Sequence, residues 1–322
     1  MAHQRLLHKL KQYGINGPIH KWLENFLTKR RQRVVIGGEN SHWVDVKSGV
    51  PQGTVVGPLL FLVYLNDMPN NIKSSIRLFA DDCVVYREIK NKDDATTLQN
   101  DLKALDAWQH TWQMSFNTDK CFLLRVTHKK KPILKEYTLG GSILKQTQSH
   151  SYLGVEITSD LKWNSHISNI TAKANRSLGF IRRNLYSCPS HLKTNAYSSL
   201  VRPLLEYSST VWDPHTEEQI KKIEAIQRRA ARFVKRDYEQ TSSPTEMMKS
   251  LKWDSLQTRR KVNRVTMMSK ITNGQAAIPA SQYLQPVTRA TRGLHKKAYI
   301  RPVGKKRLLE IFILPQHHQG LE

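Results

Sequence analysis

RLFADDCVVY, residues 77–86, sets two adjacent aspartates, Asp81 and Asp82, between the apolar runs Ile76–Ala80 and Cys83–Tyr86. Apolar runs on either side of a two-residue break predict strand, turn, strand. Turn chemistry alone favours Asn-Gly or Asp-Gly at such a break. Two carboxylates are held there against their own repulsion only if packed strands fix the turn. A divalent cation relieves that conflict. Mg²⁺ takes a few carboxylate oxygens and fills its other positions with water and phosphate oxygens. With two ions, one activates the attacking oxygen and the other steadies the leaving one. An Asp-Asp pair by itself reads more simply as an exposed acidic turn, so the surrounding sequence has to decide.

Upstream, SGVPQGTVVGPLLFLVYLNDMP (residues 48–69) reads as a Gly/Pro-rich loop followed by an apolar helix ending near Asn66-Asp67. Before it, Leu6, Leu7, Leu10 and Tyr13 fall at helical spacing, and a second helix is expected from Pro18 to Thr28. Arg33–Ile36 and His42–Val46 bracket Gly37–Asn40 as a hairpin. Downstream, Leu98, Leu102, Leu105, Trp108 and Trp112 mark an amphipathic helix, and strands are expected around Phe122–Val126, Tyr137–Leu139 and Tyr152–Ile157. After about Leu161 helices dominate to Asn273. The clearest runs from Glu217 to Arg236, opened by a Thr216/Gln219 capping-box pattern, with Ile220, Ile223, Ile226, Ala230 and Phe233 as its apolar stripe.

Charge narrows the function classes. Lys and Arg number 51 against 26 for Asp and Glu, a formal net of +25. The excess is uneven, 23 against 15 in residues 1–170 and 28 against 11 in residues 171–322. Such a basic surface attracts a polyanion, nucleic acid being the commonest, with a solvated surface or an acidic membrane as the alternatives. The longest nearly apolar run, Val55–Leu65, is far short of the ~20 residues that cross a bilayer, so no membrane partner is expected. The first residues carry no signal-peptide core, and Cys83, Cys121 and Cys188 show no paired spacing. They read as reduced thiols with no disulfide partner, in an intracellular protein of cytoplasm or nucleus without a readable targeting signal.

The series SGVPQGTVVGPLLFLVYLNDMP, RLFADDCVVY, WQMSFNTDKC and SYLGVEIT, continued by LVRPLLEYSSTVWDP and IEAIQRRAARFV, resembles the ordered motifs of reverse transcriptases from non-LTR, jockey-like retrotransposons. The resemblance covers about residues 3–300. It implies an α+β fold, a right-hand polymerase palm with an antiparallel sheet packed on helices, lacking most of the fingers and followed by an all-helical thumb. The expected division is a fingers/palm remnant at 1–47, palm at 48–160, thumb at 161–273 and a basic, weakly ordered tail at 274–322.

The resemblance also implies an activity, RNA-directed DNA polymerisation. Its partners would be an RNA template, a DNA primer or duplex and deoxynucleotides, with Mg²⁺ as the cofactor. Asp81 and Asp82 would be the catalytic and metal-ligating acids, and Ala80 would lie beside the incoming nucleotide. Gly49, Pro51, Gln52 and Gly53 would approach nucleotide and template, and Lys120 the nucleotide phosphates. Tyr152, Leu153 and Gly154 would hold the primer end. Arg228, Arg229, Arg232, Lys235 and Arg236 would contact the nucleic-acid backbone. The competing readings are a loop-to-helix connection for residues 49–53, a solvated lysine at 120 and a plain core strand at 152–155. Trp22, Trp108, Trp112, Trp163 and Trp212 read as core residues.

Two departures from the family pattern shape the expectations. A further palm aspartate precedes the family's counterpart of His3–Leu7 and is absent here, which predicts a polypeptide that does not polymerise alone. The alternatives are a non-catalytic nucleic-acid-binding remnant or a reading frame that makes no stable protein. Residues 307–322, RLLEIFILPQHHQGLE, lack the family's aromatic-rich ending, yet a one-nucleotide shift can restore it. A frameshift near Lys305–Leu309 then predicts that Ile311, Phe312, Ile313 and Leu314 do not pack.

Overall fold

The computed structural model describes residues 1–127, 129–214, 216–286, 299–300 and 308–317. The chain divides into one unit of residues 1–150 and 306–322 and another of 151–305. In the first, helical spacing delivers α1 (His3–Gln12) and α2 (Gly17–Leu27), which bury Leu6, Leu10, Leu23 and Leu27 against each other. Strands β1 (Arg31–Gln32), β2 (Val35–Ile36), β3 (Glu39–Asn40) and β4 (Val44–Asp45) form a hairpin in the expected place, with β2 on β3 and β1 on β4, but its turn is Gly37-Gly38, because Glu39 and Asn40, expected in the loop, pair with Ile36 and Val35. The Gly/Pro loop leads into α3 (Val56–Leu65). Strands β5 (Ser75–Phe79) and β6 (Asp82–Glu88) follow as an antiparallel pair.

Helix α4 (Lys92–Trp112) opens with a capping box in which Asp94 N–H donates to Asn91 Oδ1 at 2.8 Å. It packs Leu98, Leu102 and Leu105 into the core under the sheet. Its buried Asp101 accepts the Lys73 and Ser74 amides at 2.9 and 2.8 Å, which pins the start of β5. Short strands β7 (Ser115–Phe116), β8 (Phe122–Thr127), β9 (Thr138–Leu139), β10 (Ser142–Ile143) and β11 (Lys145–Thr147) complete this stretch, with β11 parallel to β8.

Strands β12 (Ser149–Tyr152) and β13 (Val155–Thr158) form a hairpin, as the resemblance implied at Tyr152–Val155, and not the plain strand that the apolar pattern over Tyr152–Ile157 suggested. The second unit is otherwise mainly helical: α5 (Asn164–Asn184), α6 (Ser190–Ala196), α7 (Arg202–Glu206), α8 (Glu217–Lys235), α9 (Pro244–Ser250), α10 (Leu256–Thr272) and the short α11 (Ala280–Tyr283). A π-helical turn, Tyr197–Val201, joins α6 to α7 just before Pro203, which has no amide to give to a regular ladder. Trp212, Ile223, Ile226, Phe233 and Leu256 centre this core. Strands β14 (Gln285–Pro286) and β15 (Tyr299–Ile300) pair after it.

The last strand corrects the sequence reading. β16 (Leu308–His317) returns to the first unit and inserts between β6 and β8, antiparallel to both, giving the order β11-β8-β16-β6-β5 with β7 pairing its end. Phe312, Ile313 and Leu314 are buried, so the expectation that this run would not pack is not met. A continuous apolar run suits a strand covered on both faces. Glu310, buried near its start, accepts from Arg125 Nε at 2.8 Å and from the Tyr137 hydroxyl, whose ring meets Phe312 edge-on. The expected tail from residue 274 is therefore redrawn. Residues 287–298, 301–307 and 318–322 lie outside the described residues.

Another buried charge was not foreseen. Lys9, on the face of α1 that meets α3, pairs with Asp67 at 2.5 Å and donates to the Tyr64 carbonyl. Its ammonium lies 3.8 Å from the Trp112 ring centre and 5.2 Å from that of Trp108. Trp108 Nε1 also donates to Asp67 at 2.9 Å. Trp108, Trp112, Trp163 and Trp212 thus serve the cores as expected. Trp22 does not: it is 54% exposed and stacks on Phe26.

Candidate functional site

The acidic hairpin forms one residue earlier than its sequence suggests. Phe79 pairs with Asp82, so the turn is Ala80-Asp81, and Asp82 opens β6. Ala80 has φ +49°, a left-handed conformation that glycine would adopt without strain. Both carboxylates are half-buried, not extended into solvent. Burial, then the charge of Asp81, raises the Asp82 pKa, and His150 on β12 opposes the rise. His150 is itself lowered by burial against the pull of Asp82, and its ring lies 5.3 Å from that of Phe122. Beneath the acids, Cys83 and Cys121 are buried free thiols, and burial pushes the pKa of each up to about 12. They are packing groups, not nucleophiles.

Can the pair hold a metal? Two half-buried carboxylates that repel one another have the donor chemistry of a hard cation. Among the described residues, no group of three or more His, Cys, Asp or Glu side chains converges to hold an ion. The donors fit one ion completed by water or phosphate oxygens, and fall short of a two-ion bridge. The backbone of β16 adds no carboxylate here, since the residue opposite Asp82 is Pro315.

The Gly/Pro loop is pinned from both ends. His3 Nε2 donates to the Gly49 carbonyl at 2.8 Å, and Gly49 N–H donates to the Met1 carbonyl at 2.8 Å. Gly49 and Gly53 have φ +84° and +75°. Thr54 Oγ1 donates to the Pro51 carbonyl at 2.8 Å and accepts from Gly57 N–H at 3.2 Å. A Cβ on Gly57 would lie 2.9 Å from both the Pro51 oxygen and Thr54 Oγ1, so Gly57 is required where the loop crosses α3. Sequence reading missed it; the signal was a glycine inside a helix start, where glycine is costly. Gln52 is exposed, and so is Lys120, at the end of a 3₁₀ turn (Thr118–Lys120).

In the second unit, Leu153 and Gly154 form the two-residue turn between β12 and β13, with φ +47° and +78°. The Tyr207 hydroxyl donates to the Leu153 carbonyl at 3.0 Å, and a Cβ on Gly154 would meet the Tyr207 ring at 3.2 Å. On α8, Thr216 caps the Gln219 amide, but the Gln219 side chain goes to Asn164, so the box is half made. Arg228, Arg229, Lys235 and Arg236 are exposed. Arg232 instead donates to the Glu239 and Ser242 carbonyls at 2.8 and 3.0 Å, and Arg236 reaches the Tyr186 carbonyl at 2.8 Å. Arg232 is thus committed to a loop.

Comparison with known proteins adds the lineage. Residues 1–157 match the family model described as reverse transcriptase (RNA-dependent DNA polymerase). The chain is 29% identical over 246 residues, 72% of its length, to the RNA-directed DNA polymerase from mobile element jockey of Drosophila melanogaster. It is 30% identical over 240 residues, 70% of its length, to the probable RNA-directed DNA polymerase from transposon X-element of the same species. The corresponding protein from transposon BS matches at 27% over 248 residues, 72% of the chain. The chain spans 26–27% of the length of these relatives.

Proposed function

We propose that residues 1–157, which match the reverse transcriptase family model in a chain homologous to the polymerases of non-LTR retrotransposons, are a reverse transcriptase domain, with the first unit a polymerase palm and the helical unit a thumb. The reaction is transfer of a deoxynucleotide to a DNA primer on an RNA template. The observation that carries this reading is the half-buried Asp81/Asp82 pair on a strained two-residue turn within a packed sheet.

Asp81 and Asp82 would hold Mg²⁺, which when bound supplies charge neutralisation at the transferring phosphate. The chain's own residues do the positioning. The sheet and Asp101 fix the hairpin, so the two acids face their ligand without reorganisation. Gly49, Pro51, Gln52 and Gly53 bring backbone close to the nucleotide and template, Ala80 lies beside the nucleotide, and Lys120 meets its phosphates. Tyr152, Leu153 and Gly154 hold the primer end. Arg228, Arg229, Lys235 and Arg236 meet the nucleic-acid backbone, with Arg232 bracing the loop beside them.

Two carboxylates without a converging third among the described residues favour a 322-residue polypeptide that binds nucleic acid and does not extend primers. Mg²⁺-dependent extension by that polypeptide, abolished by Asp81→Asn, would refute this. The polymerase reading is tested by grafting residues 1–157 into the matching span of the jockey relative. Primer extension on RNA that Asp81→Asn abolishes is expected. A folded chimera without extension counts against the reading.

A further inference from the structure

The loop that joins α8 to α9 reads RDYEQTSS over residues 236–243 and is followed by Pro244. Of the 13 prolines in the chain, Pro244 alone is preceded by a serine or threonine, Ser243. The proline ring keeps its predecessor out of helical space, and Ser243 is extended, with φ −81° and ψ 116°. Ser243 is exposed and stands at the N-cap position of α9, yet its side chain caps nothing. A serine there ordinarily gives its oxygen to the helix amides. This hydroxyl forms no hydrogen bond among the described residues, which leaves it free for an enzyme.

Arg232 of α8 supplies the second observation. Its Nη1 donates to the Glu239 carbonyl at 2.8 Å and its Nη2 to the Ser242 carbonyl at 3.0 Å. The Ser242 carbonyl belongs to the peptide bond that leads into Ser243, so the guanidinium fork lies one peptide unit from the free hydroxyl. Neutral carbonyls are second-best acceptors for that fork. Phosphate oxygens match it bidentately, in bonds roughly twice as strong. Arg228 and Arg229 lie one turn earlier on the same side of α8, both exposed, and Arg228 forms no ion pair among the described residues. The neighbouring acids are engaged elsewhere: Asp237 accepts the Glu239 amide at 3.1 Å, and Glu246 pairs with Lys249 at 2.8 Å.

Is this a place for a free anion or for a covalent one? A single guanidinium fork is too little to draw a phosphate out of water. Tethered through Ser243 Oγ, the same group arrives at high effective concentration and has only its own rotation to lose. The charge partner is then Arg232, not the amides of the short α9.

We propose that Ser243 is a phosphorylation site for a proline-directed serine/threonine protein kinase, and that the attached phosphate takes Arg232 from the two carbonyls and clamps the loop to α8. In the step, Ser243 Oγ attacks the γ-phosphorus of ATP. The Oγ–P bond forms, the bond from that phosphorus to the bridging oxygen of ADP breaks, and the hydroxyl proton passes to the catalytic aspartate of the kinase. The group brings a charge of about −1.5 to −2 at pH 7 to the face that holds Arg228, Arg229 and Arg232. The inference goes beyond the proposed function and does not depend on polymerase activity.

The test treats the purified 322-residue protein with ATP and a proline-directed kinase. Intact mass should show a single added phosphate, placed at Ser243 by peptide mapping and missing in Ser243→Ala, whose urea melt should match the parent because the hydroxyl holds nothing. Followed by phosphorus NMR, the second pKa of the phosphate, ordinarily about 6, should lie lower beside Arg232. It should return toward the ordinary value in Arg232→Gln, with Arg232→Lys between the two. Hydrogen exchange over residues 237–243 should slow on phosphorylation in the parent and not in Arg232→Gln. Phosphate on Thr241 or Ser242 instead, or none while a free peptide of residues 238–248 is modified, would overturn the site. The same phosphate pKa in the parent, Arg232→Lys and Arg232→Gln would overturn the clamp. Primer extension by the grafted enzyme enters neither outcome, so the polymerase reading and this site fail separately.

Discussion

The sheet unit and the helical unit are held together over very different distances along the chain. In the helical unit α8 packs on α9, which starts nine residues after it ends, and Gln227 of α8 donates to the Asp254 carbonyl 27 residues away. In the sheet unit the central strand is joined to its neighbour by an Arg125–Glu310 bond across 185 residues. Nearby segments can find one another early. The sheet must wait for a distant one, and non-local pairing of that kind slows folding. The helical unit is therefore specified piece by piece, and the sheet unit only as a whole.

Glu310→Ala attacks that distinction most directly. It leaves Arg125 and Tyr137 without their shared carboxylate in the centre of the sheet. A loss of about 3–5 kcal/mol is expected, as for one partner removed from a buried ion pair. Hydrogen exchange should rise in β6 and β8 and stay unchanged in α5 and α8; equal loss of protection in both units would erase the contrast. Gly57→Ala should cost about 1–3 kcal/mol, because the new methyl meets backbone at 2.9 Å and pushes the loop from α3. Denaturant melts read on the same sheet amides measure it.

Gly154→Ala should act on the helical unit alone. A left-handed φ of +78° and the Tyr207 ring at 3.2 Å predict a loss of about 1–2 kcal/mol, seen as faster exchange at β12 and β13. Asp82→Asn should have the smallest effect, and a stabilising one. Because burial and Asp81 raise its pKa, Asp82 keeps its proton to higher pH folded than unfolded. Stability linked to it is fullest in acid and falls as pH rises through the raised value. The asparagine variant should thus exceed the parent in urea melts at pH 7, with the gap closing below the ordinary carboxylate range. A gap that widens in acid would reverse the assignment.

Much of this was legible where the signal is local. Apolar runs around Asp81-Asp82, the Gly37–Gly38 turn and the 3.6-residue stripe of α8 each specify their element within a dozen residues. The details that escaped depend on distant partners. Lys9 looks like a solvated helix lysine until Asp67, Trp108 and Trp112 surround it. Arg232 reads as one more cation for nucleic acid until the Glu239 and Ser242 carbonyls claim it. The run Leu308–Leu314 has the composition of a strand buried on both faces, and a departure from the family ending obscured it. Its partners, β6 and β8, lie far upstream.

The position of β16 has a consequence for synthesis. A growing chain makes β6 and β8 first and then the whole helical unit before the strand that joins them exists. At about 5–20 residues per second, that interval is roughly 10–30 s. Throughout it, two unpaired sheet edges and the apolar surface meant for Phe312 and Leu314 face solvent, where chaperones and neighbouring nascent chains compete for them.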